Sequence, residues 1–213
     1  VKRLLLVLSA PSGGGKTTIA RRLLQVRNDL GYSVSATTRP IRNGEKEGVD
    51  YHFLTRSEFE RRRDTDEFLE WAEYGGQLYG TLKSEIDGIL AAGRHAVLDI
   101  DIEGARQIRR SLSNSLQVFV LPPSADVLVE RLTGRNTENP KLLRKRLTRA
   151  SDELAAVAEY DYAVVNQDLD TAVEQVSAIL DGKADDRLVC RQRGLPAAIE
   201  QLRRDVAKAA GKI

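Results

Sequence analysis

Hydrophobic and polar positions along this chain fall into two periods. Short apolar runs of strand length occur at Arg3–Leu8, Ser33–Ala36, His95–Ile100, Leu116–Leu121 and Tyr162–Val165. Between them, apolar residues recur at the three-to-four spacing of amphipathic helices near Lys16–Val26, Ile102–Arg110, Ser124–Leu132, Lys141–Ala158 and Leu169–Leu180. Gly93 stops a further helical stretch, Ile86–Ala92. Strands alternating with helices predict an α/β fold, a parallel sheet flanked by helices.

Three stretches break this rhythm. Residues 35–81 hold short strand-like pieces at Tyr51–Leu54, Phe68–Tyr74 and Gln77–Gly80, with Gly75-Gly76 as a hairpin turn between the last two. Ser57 with Glu60 three residues on has capping-box spacing for a helix over Ser57–Arg63. This reads as a small mixed α/β insert on a core formed by 1–34 and 82–182. TGRNTENP, Thr133–Pro140, is too rich in breakers for a helix interior and reads as a short lid, about 133–142. The tail, 183–213, places Leu195, Ile199, Leu202 and Val206 on one helix face, with Pro196 suited to the first turn. That stripe needs a partner surface, either its own core or a sister subunit in a homo-oligomer.

Composition narrows the class. Charged residues make up 30% of the 213, and the longest apolar run, Leu4–Leu8, is far too short to cross a membrane. No small-residue cleavage site follows that run, so it reads as a buried strand. A single cysteine, Cys190, excludes an internal disulfide and fits a reducing cytoplasm. With two histidines, His52 and His95, a structural zinc site is excluded, and both read as structural. The net charge of +2 argues against a dedicated nucleic-acid partner. Seven Lys/Arg against two Asp/Glu from Arg187 to Ile213 make the tail basic, which a solvated helix face explains.

The chemistry begins at APSGGGKTT, Ala10–Thr18, between an apolar strand and an amphipathic helix. Gly15, Lys16 and Thr17 match the end of the phosphate-loop pattern G-x-x-x-x-G-K-[ST], with Ala10 in place of its first Gly. Glycines let backbone N–H groups turn inward around phosphates, and the following helix adds its dipole. In that pattern Lys16 reaches the β- and γ-phosphates of a nucleoside triphosphate, and Thr17 ligates Mg²⁺ with phosphate oxygens and water. The loop leaves the phosphoryl acceptor open. Downstream, Arg39 and Arg42 sit in a hydroxyl-flanked loop suited to a dianionic phosphate, although a solvated basic loop has the same composition. Glu70 lies in EFLEWAEYGGQLYGT with Tyr79 and Thr81. A carboxylate facing a ring N–H and an exocyclic amine is one way to select guanine.

With these motifs in order, the chain resembles the guanylate kinases over Leu4–Leu180. The resemblance rests on APSGGGKTT, on SVSATTR followed by Arg42, Gly44, Glu45 and Tyr51, and on FLEWAEYGGQLYGT. It continues through LDIDIEGA (98–105), LPPS (121–124), RLTGR (131–135), KRL (145–147) and YDYAVVNQDLD (160–170). It implies a P-loop kinase that moves the γ-phosphoryl group of ATP to GMP, and to dGMP, with Mg²⁺. It also implies roles. Ala10, Pro11, Ser12, Gly13, Gly14, Gly15, Lys16, Thr17 and Thr18 hold ATP, with Asn166 by the adenine. Arg39, Arg42, Tyr51 and Tyr79 hold the GMP phosphate, and Ser35, Glu70, Thr81 and Asp101 frame the guanine. Lys16, Arg39, Arg135 and Arg146 are catalytic, with Arg131 a weaker candidate. Asp99 and Asp101 face the site. The insert and lid close over the substrates to exclude water.

The chain departs from the family pattern at Ile41, where Pro is usual, at Glu103 for Gln, at Asn136 for Gly and at Thr81 for Ser. Ile41 puts the loop path near Arg42 in question, Glu103 adds negative charge near Asp99 and Asp101, and Asn136 bears on lid flexibility. Three other readings remain at this point: a non-catalytic guanylate-kinase-like interaction domain, a kinase for another small phosphorylated acceptor, and a nucleic-acid role for the basic tail, 183–213.

Overall fold

The computed structural model describes residues 3–112, 114–134, 140–190 and 195–213. Nine strands are described: β1 (Leu5–Ser9), β2 (Leu30–Tyr32), β3 (Ala36–Thr37), β4 (His52–Phe53), β5 (Phe68–Tyr74), β6 (Gln77–Leu82), β7 (His95–Asp99), β8 (Ser115–Leu121) and β9 (Tyr162–Val165). The helices are α1 (Lys16–Val26), α2 (Arg56–Asp64), α3 (Lys83–Ala91), α4 (Ile102–Ser111), α5 (Ala125–Thr133), α6 (Pro140–Leu154), α7 (Leu169–Leu180) and α8 (Leu195–Gly211).

The larger sheet runs β2-β7-β1-β8-β9. Leu30 pairs with His95 and Tyr32 with Val97 in parallel, as do Val118 with Tyr162 and Leu121 with Val165. Every residue of β1 is buried, as expected of a strand covered on both faces, which is why it reads as an unbroken apolar run. Side chains cap the helices: Asp101 accepts from Gly104 N, Ser124 from Val127 N and Asp168 from Thr171 N. His95 is buried and its Nδ1 accepts the Leu4 N–H, a structural role.

The second sheet runs β4-β3-β6-β5. Its hairpin turns at Gly75 and Gly76, both with positive φ (60° and 78°), as a tight two-residue turn requires. Its apolar side is built from Ala36, Phe59, Phe68, Leu78 and Leu82, with Phe59 and Phe68 stacked at 4.3 Å. A bulge shifts the β5–β6 register between Phe68, opposite Leu82, and Glu70, opposite Thr81.

Several expectations change. The stretch 33–36 is not one strand: β2 ends at Tyr32 in the large sheet and β3 starts at Ala36 in the small one. The first insert helix begins at Arg56 and is capped by Thr55, whose hydroxyl accepts from Glu58 N, so the Ser57–Glu60 box is not used. Helix α6 stops at Leu154 and a 3₁₀ turn, Ala155–Glu159, carries the chain on. Within the proposed lid, residues 135–139 lie outside the described residues.

The chain divides into two compact units, Val1–Val7 with Val26–Ser115, and Leu8–Gln25 with Leu116–Ile213. In the second unit, α8 packs on α6 and α5, with Val206 and Ala210 buried. Ser151 and Arg203 reinforce the seam: the Ser151 hydroxyl donates to Arg203 O and Arg203 Nε donates to Ser151 O. The apolar stripe of the tail therefore meets its own chain. Among the described residues no helix is long and apolar enough to cross a membrane.

Candidate active site

The loop from β1 to α1 is shaped by its glycines. Gly13 and Gly15 have φ of 85° and 92°, which side-chain-bearing residues rarely adopt, and Gly14 N donates to Pro11 O at 2.8 Å. The Ala10 methyl fills the space a side chain at Gly14 would need. Helix α1 starts directly at Lys16 and has no acidic residue in its first turn, so its positive end is left for an anion.

Other parts of the same unit converge on this loop. From α6, Arg146 Nη2 donates to Ser12 Oγ at 3.3 Å, while Glu153 Oε2 accepts from Ser12 N at 3.0 Å and its Oε1 takes Arg149 Nε at 2.7 Å. From the end of β9, Asn166 Nδ2 donates to Gly14 O at 3.0 Å. From α5, Arg131 Nη2 donates to Asn166 O at 2.9 Å. Arg131 Nη1 is buried with no acceptor among the described residues, and lies near Gly15. A buried guanidinium N–H without a partner is costly unless an anion completes it. Ser12, Arg131, Arg146 and Asn166 are thus brought to the loop. Arg135 and Asn136 lie outside the described residues. The Asn166 side chain is engaged with the loop itself, a contact the adenine role did not include.

The acceptor-side candidates fall in the other unit, in two clusters. In the first, the Arg39 guanidinium grips Glu45 with both ends, at 3.0 and 2.7 Å, and lies over the Tyr51 ring at 5.3 Å. Tyr79 meets Tyr51 edge-on at 6.1 Å. Glu45 holds the Arg39 guanidinium more firmly charged, and Arg39 holds the Glu45 carboxyl below the usual range. Burial, then the charge of Asp99, lifts the Tyr51 phenol. Glu45 also accepts from Arg42 N, and the charge of the exposed Arg42 side chain adds to the lowering of the Glu45 carboxyl. Ile41 is exposed beside it, while the Pro40 carbonyl accepts from Arg39. Ser35 contributes its carbonyl to His52 N.

The second cluster centres on Glu70. It is 5% exposed, and its Oε1 accepts from the fully buried Thr81 hydroxyl at 2.7 Å. A methyl at Gly104 would stand 2.5 Å from Glu70 Oε2, so the carboxylate occupies space only a glycine leaves open. Burial pushes the Glu70 carboxyl up to about 7, the Asp101 charge adds to this, and the Thr81 hydrogen bond opposes it. A buried carboxylate with a raised pKa marks a candidate binding site. Asp101 works through this cluster and as the cap of α4, and Asp99 accepts the Tyr32 hydroxyl. The charge of Glu103 is taken up by Arg106 and Arg110 on the exposed side of α4.

Sequence reasoning missed Glu45 as the partner of Arg39 and Glu153 as the partner of Ser12. Glu153 shares a helix face with Arg146 and Arg149 by spacing, but spacing does not say what that face meets.

Comparison with known proteins agrees with this geometry. The family described as guanylate kinase matches residues 2–183. The guanylate kinase of Paramagnetospirillum magneticum is 47% identical over 202 residues, covering 94% of this chain and 93% of that protein. That of Carboxydothermus hydrogenoformans is 45% identical over 179 residues, covering 84% and 88%. The crystal structure of guanylate kinase from Anaplasma phagocytophilum superposes with a TM-score of 0.69 at 34% identity, covering 93% of this chain and 94% of that one. On the family match over residues 2–183 and this similarity along nearly its whole length, the chain belongs to the guanylate kinase family.

Proposed function

We propose that this protein transfers the γ-phosphoryl group of ATP to GMP, giving ADP and GDP, in purine nucleotide metabolism. The observation that carries the acceptor is the buried Glu70, hydrogen-bonded to Thr81 and seated against Gly104. Guanine presents N1–H and an exocyclic amine, two donors matched to one carboxylate. Adenine presents an unprotonated N1 in their place and leaves the buried carboxylate unsatisfied, a mismatch worth several orders of magnitude in kcat/KM.

The phosphate of GMP fits the Arg39, Tyr51 and Tyr79 cluster, with exposed Arg42 available to it and Glu45 exchanged for substrate. A dianion in place of one carboxylate gives Arg39 a stronger bidentate partner. By the same reading dGMP is an acceptor as well as GMP. In this reading the insert 35–81 carries most of the acceptor contacts, with Asp101 added from α4.

On the donor side, Lys16 and the loop amides offset the β- and γ-phosphate charge, and Arg131, Arg135 and Arg146 supply further positive charge as it shifts to the leaving group. The GMP phosphate is already anionic, so no strong general base is needed. Among the described residues no cluster of His, Cys, Asp or Glu could hold a metal ion. Mg²⁺ would be held by the Thr17 hydroxyl in the first turn of α1 together with phosphate oxygens and water. When bound, the ion offsets negative charge on the phosphates. The enzyme acts in the cytoplasm.

A coupled kinase assay with GMP, dGMP, AMP, UMP and IMP as acceptors tests the reading. Turnover restricted to guanine nucleotides is expected. Comparable turnover with AMP would refute the guanine assignment.

A further inference from the structure

Asn166 is more than nine-tenths buried, and it is hydrogen-bonded within the protein through its backbone and its side chain. Its backbone N–H donates to Leu121 O at 2.8 Å, which extends the β8–β9 ladder by one residue. Its carbonyl takes Arg131 Nη2 at 2.9 Å. Its side-chain amide turns to the phosphate loop, where Nδ2 donates to Gly14 O at 3.0 Å. The amide lies where a side chain at Gly15 would project, so the loop and Asn166 fit together only with glycine there.

This hydrogen bond has a consequence for the loop. A phosphate cradle needs its N–H groups pointing inward, so the carbonyls of the same peptides point outward and need donors of their own. At the Gly14–Gly15 peptide that donor is the Asn166 amide. Glycine-rich backbone has the most conformational freedom to lose, and an external pin removes part of that cost before the ligand arrives.

We propose that Asn166 is a positioning residue for the donor site, pinning the Gly14–Gly15 peptide in its anion-binding orientation for any triphosphate, whatever its base. The proposal rests on the reading of Ala10–Thr18 as the triphosphate loop. Inorganic tripolyphosphate, which has no base, separates this role from contact with adenine. Its affinity is measured by calorimetry for the unmodified protein, Lys16→Ala, Asn166→Ala and Asn166→Asp, alongside KM for ATP and GMP. Asn166→Asp keeps the size, removes the donor and sets a carboxylate against the Gly14 carbonyl. The expected result is Lys16-dependent binding that weakens about tenfold in Asn166→Ala and more in Asn166→Asp, a parallel rise in the KM for ATP, and an unchanged KM for GMP. An unchanged KM for GMP reports that each variant is folded. Tripolyphosphate affinity unaltered in both Asn166 variants, with only ATP weakened, would overturn the proposal in favour of base contact alone. Binding that does not depend on Lys16 would overturn the triphosphate-loop reading, and the proposal with it.

Discussion

The raised pKa of Glu70 gives the acceptor site a pH dependence of defined sign. Only the ionised carboxylate accepts from both guanine donors, yet in the free protein burial holds the group half-protonated at about pH 7. With that value, about 3% of Glu70 is ionised at pH 5.5 and about 97% at pH 8.5, so GMP affinity through this group rises about 30-fold across the interval. The GMP phosphate itself titrates near pH 6, roughly, and Glu70→Gln removes that contribution by comparison. The assay is the KM for GMP from pH 5.5 to 8.5 in both proteins, taken as a ratio. The ratio should shift toward the unmodified protein mainly between pH 5.5 and 7 and level off above pH 7. The same shift acts on stability. A folded-state pKa raised from 4.5 to about 7 means that the folded chain holds a proton the unfolded chain has released. The stabilisation is complete below pH 4.5, is lost as pH rises through 7, and is on the order of 3 kcal/mol. Urea unfolding should show the unmodified protein losing stability relative to Glu70→Gln over that window. A flat KM ratio together with a flat stability difference would refute the reasoning.

Three further outcomes are expected. Gly104→Ala places a methyl against Glu70 Oε2 and should raise the KM for GMP at least about tenfold while leaving the KM for ATP unchanged, as steady-state kinetics will report. Lys16→Ala should lower turnover by about 10³-fold or more, yet retain GMP binding by calorimetry, since the acceptor clusters do not include it. Val206→Asp buries a charge under α8, where Val206 is fully enclosed, and should cost about 3 kcal/mol or more in thermal or urea unfolding. An unaltered midpoint would show that α8 is not docked on α6 in solution.

The elements that could be read from the chain are those whose signal is local. Strand β1 is apolar throughout because both of its faces are covered, and α1 follows it across a glycine loop whose positive φ values are written in its composition. The hairpin at Gly75-Gly76 was legible for the same reason. The stretch 33–36 was not, because its apolar pattern looks alike whether it continues one sheet or passes between two. The Thr55 cap was missed because hydroxyls at 55 and 57 offer competing starts, and packing of Phe59 into the small sheet's core favours the earlier one.

The same division runs through the site. The sequence by itself determined the phosphate loop, since strand, glycines, Lys16 and helix start are consecutive and their geometry follows from backbone sterics. Tertiary structure decided what those groups face. A regular β5–β6 ladder continued from Phe68–Leu82 would set Glu70 opposite Gly80, and the bulge sets it opposite the Thr81 hydroxyl instead. Asn166 reaches Gly14 across 152 residues because β8 and β9 pair in one particular register. Arg39 is held by Glu45, six residues away, through the path of a loop. Strand register and loop path depend on hydrogen bonds and packing between distant segments, and no local propensity encodes them.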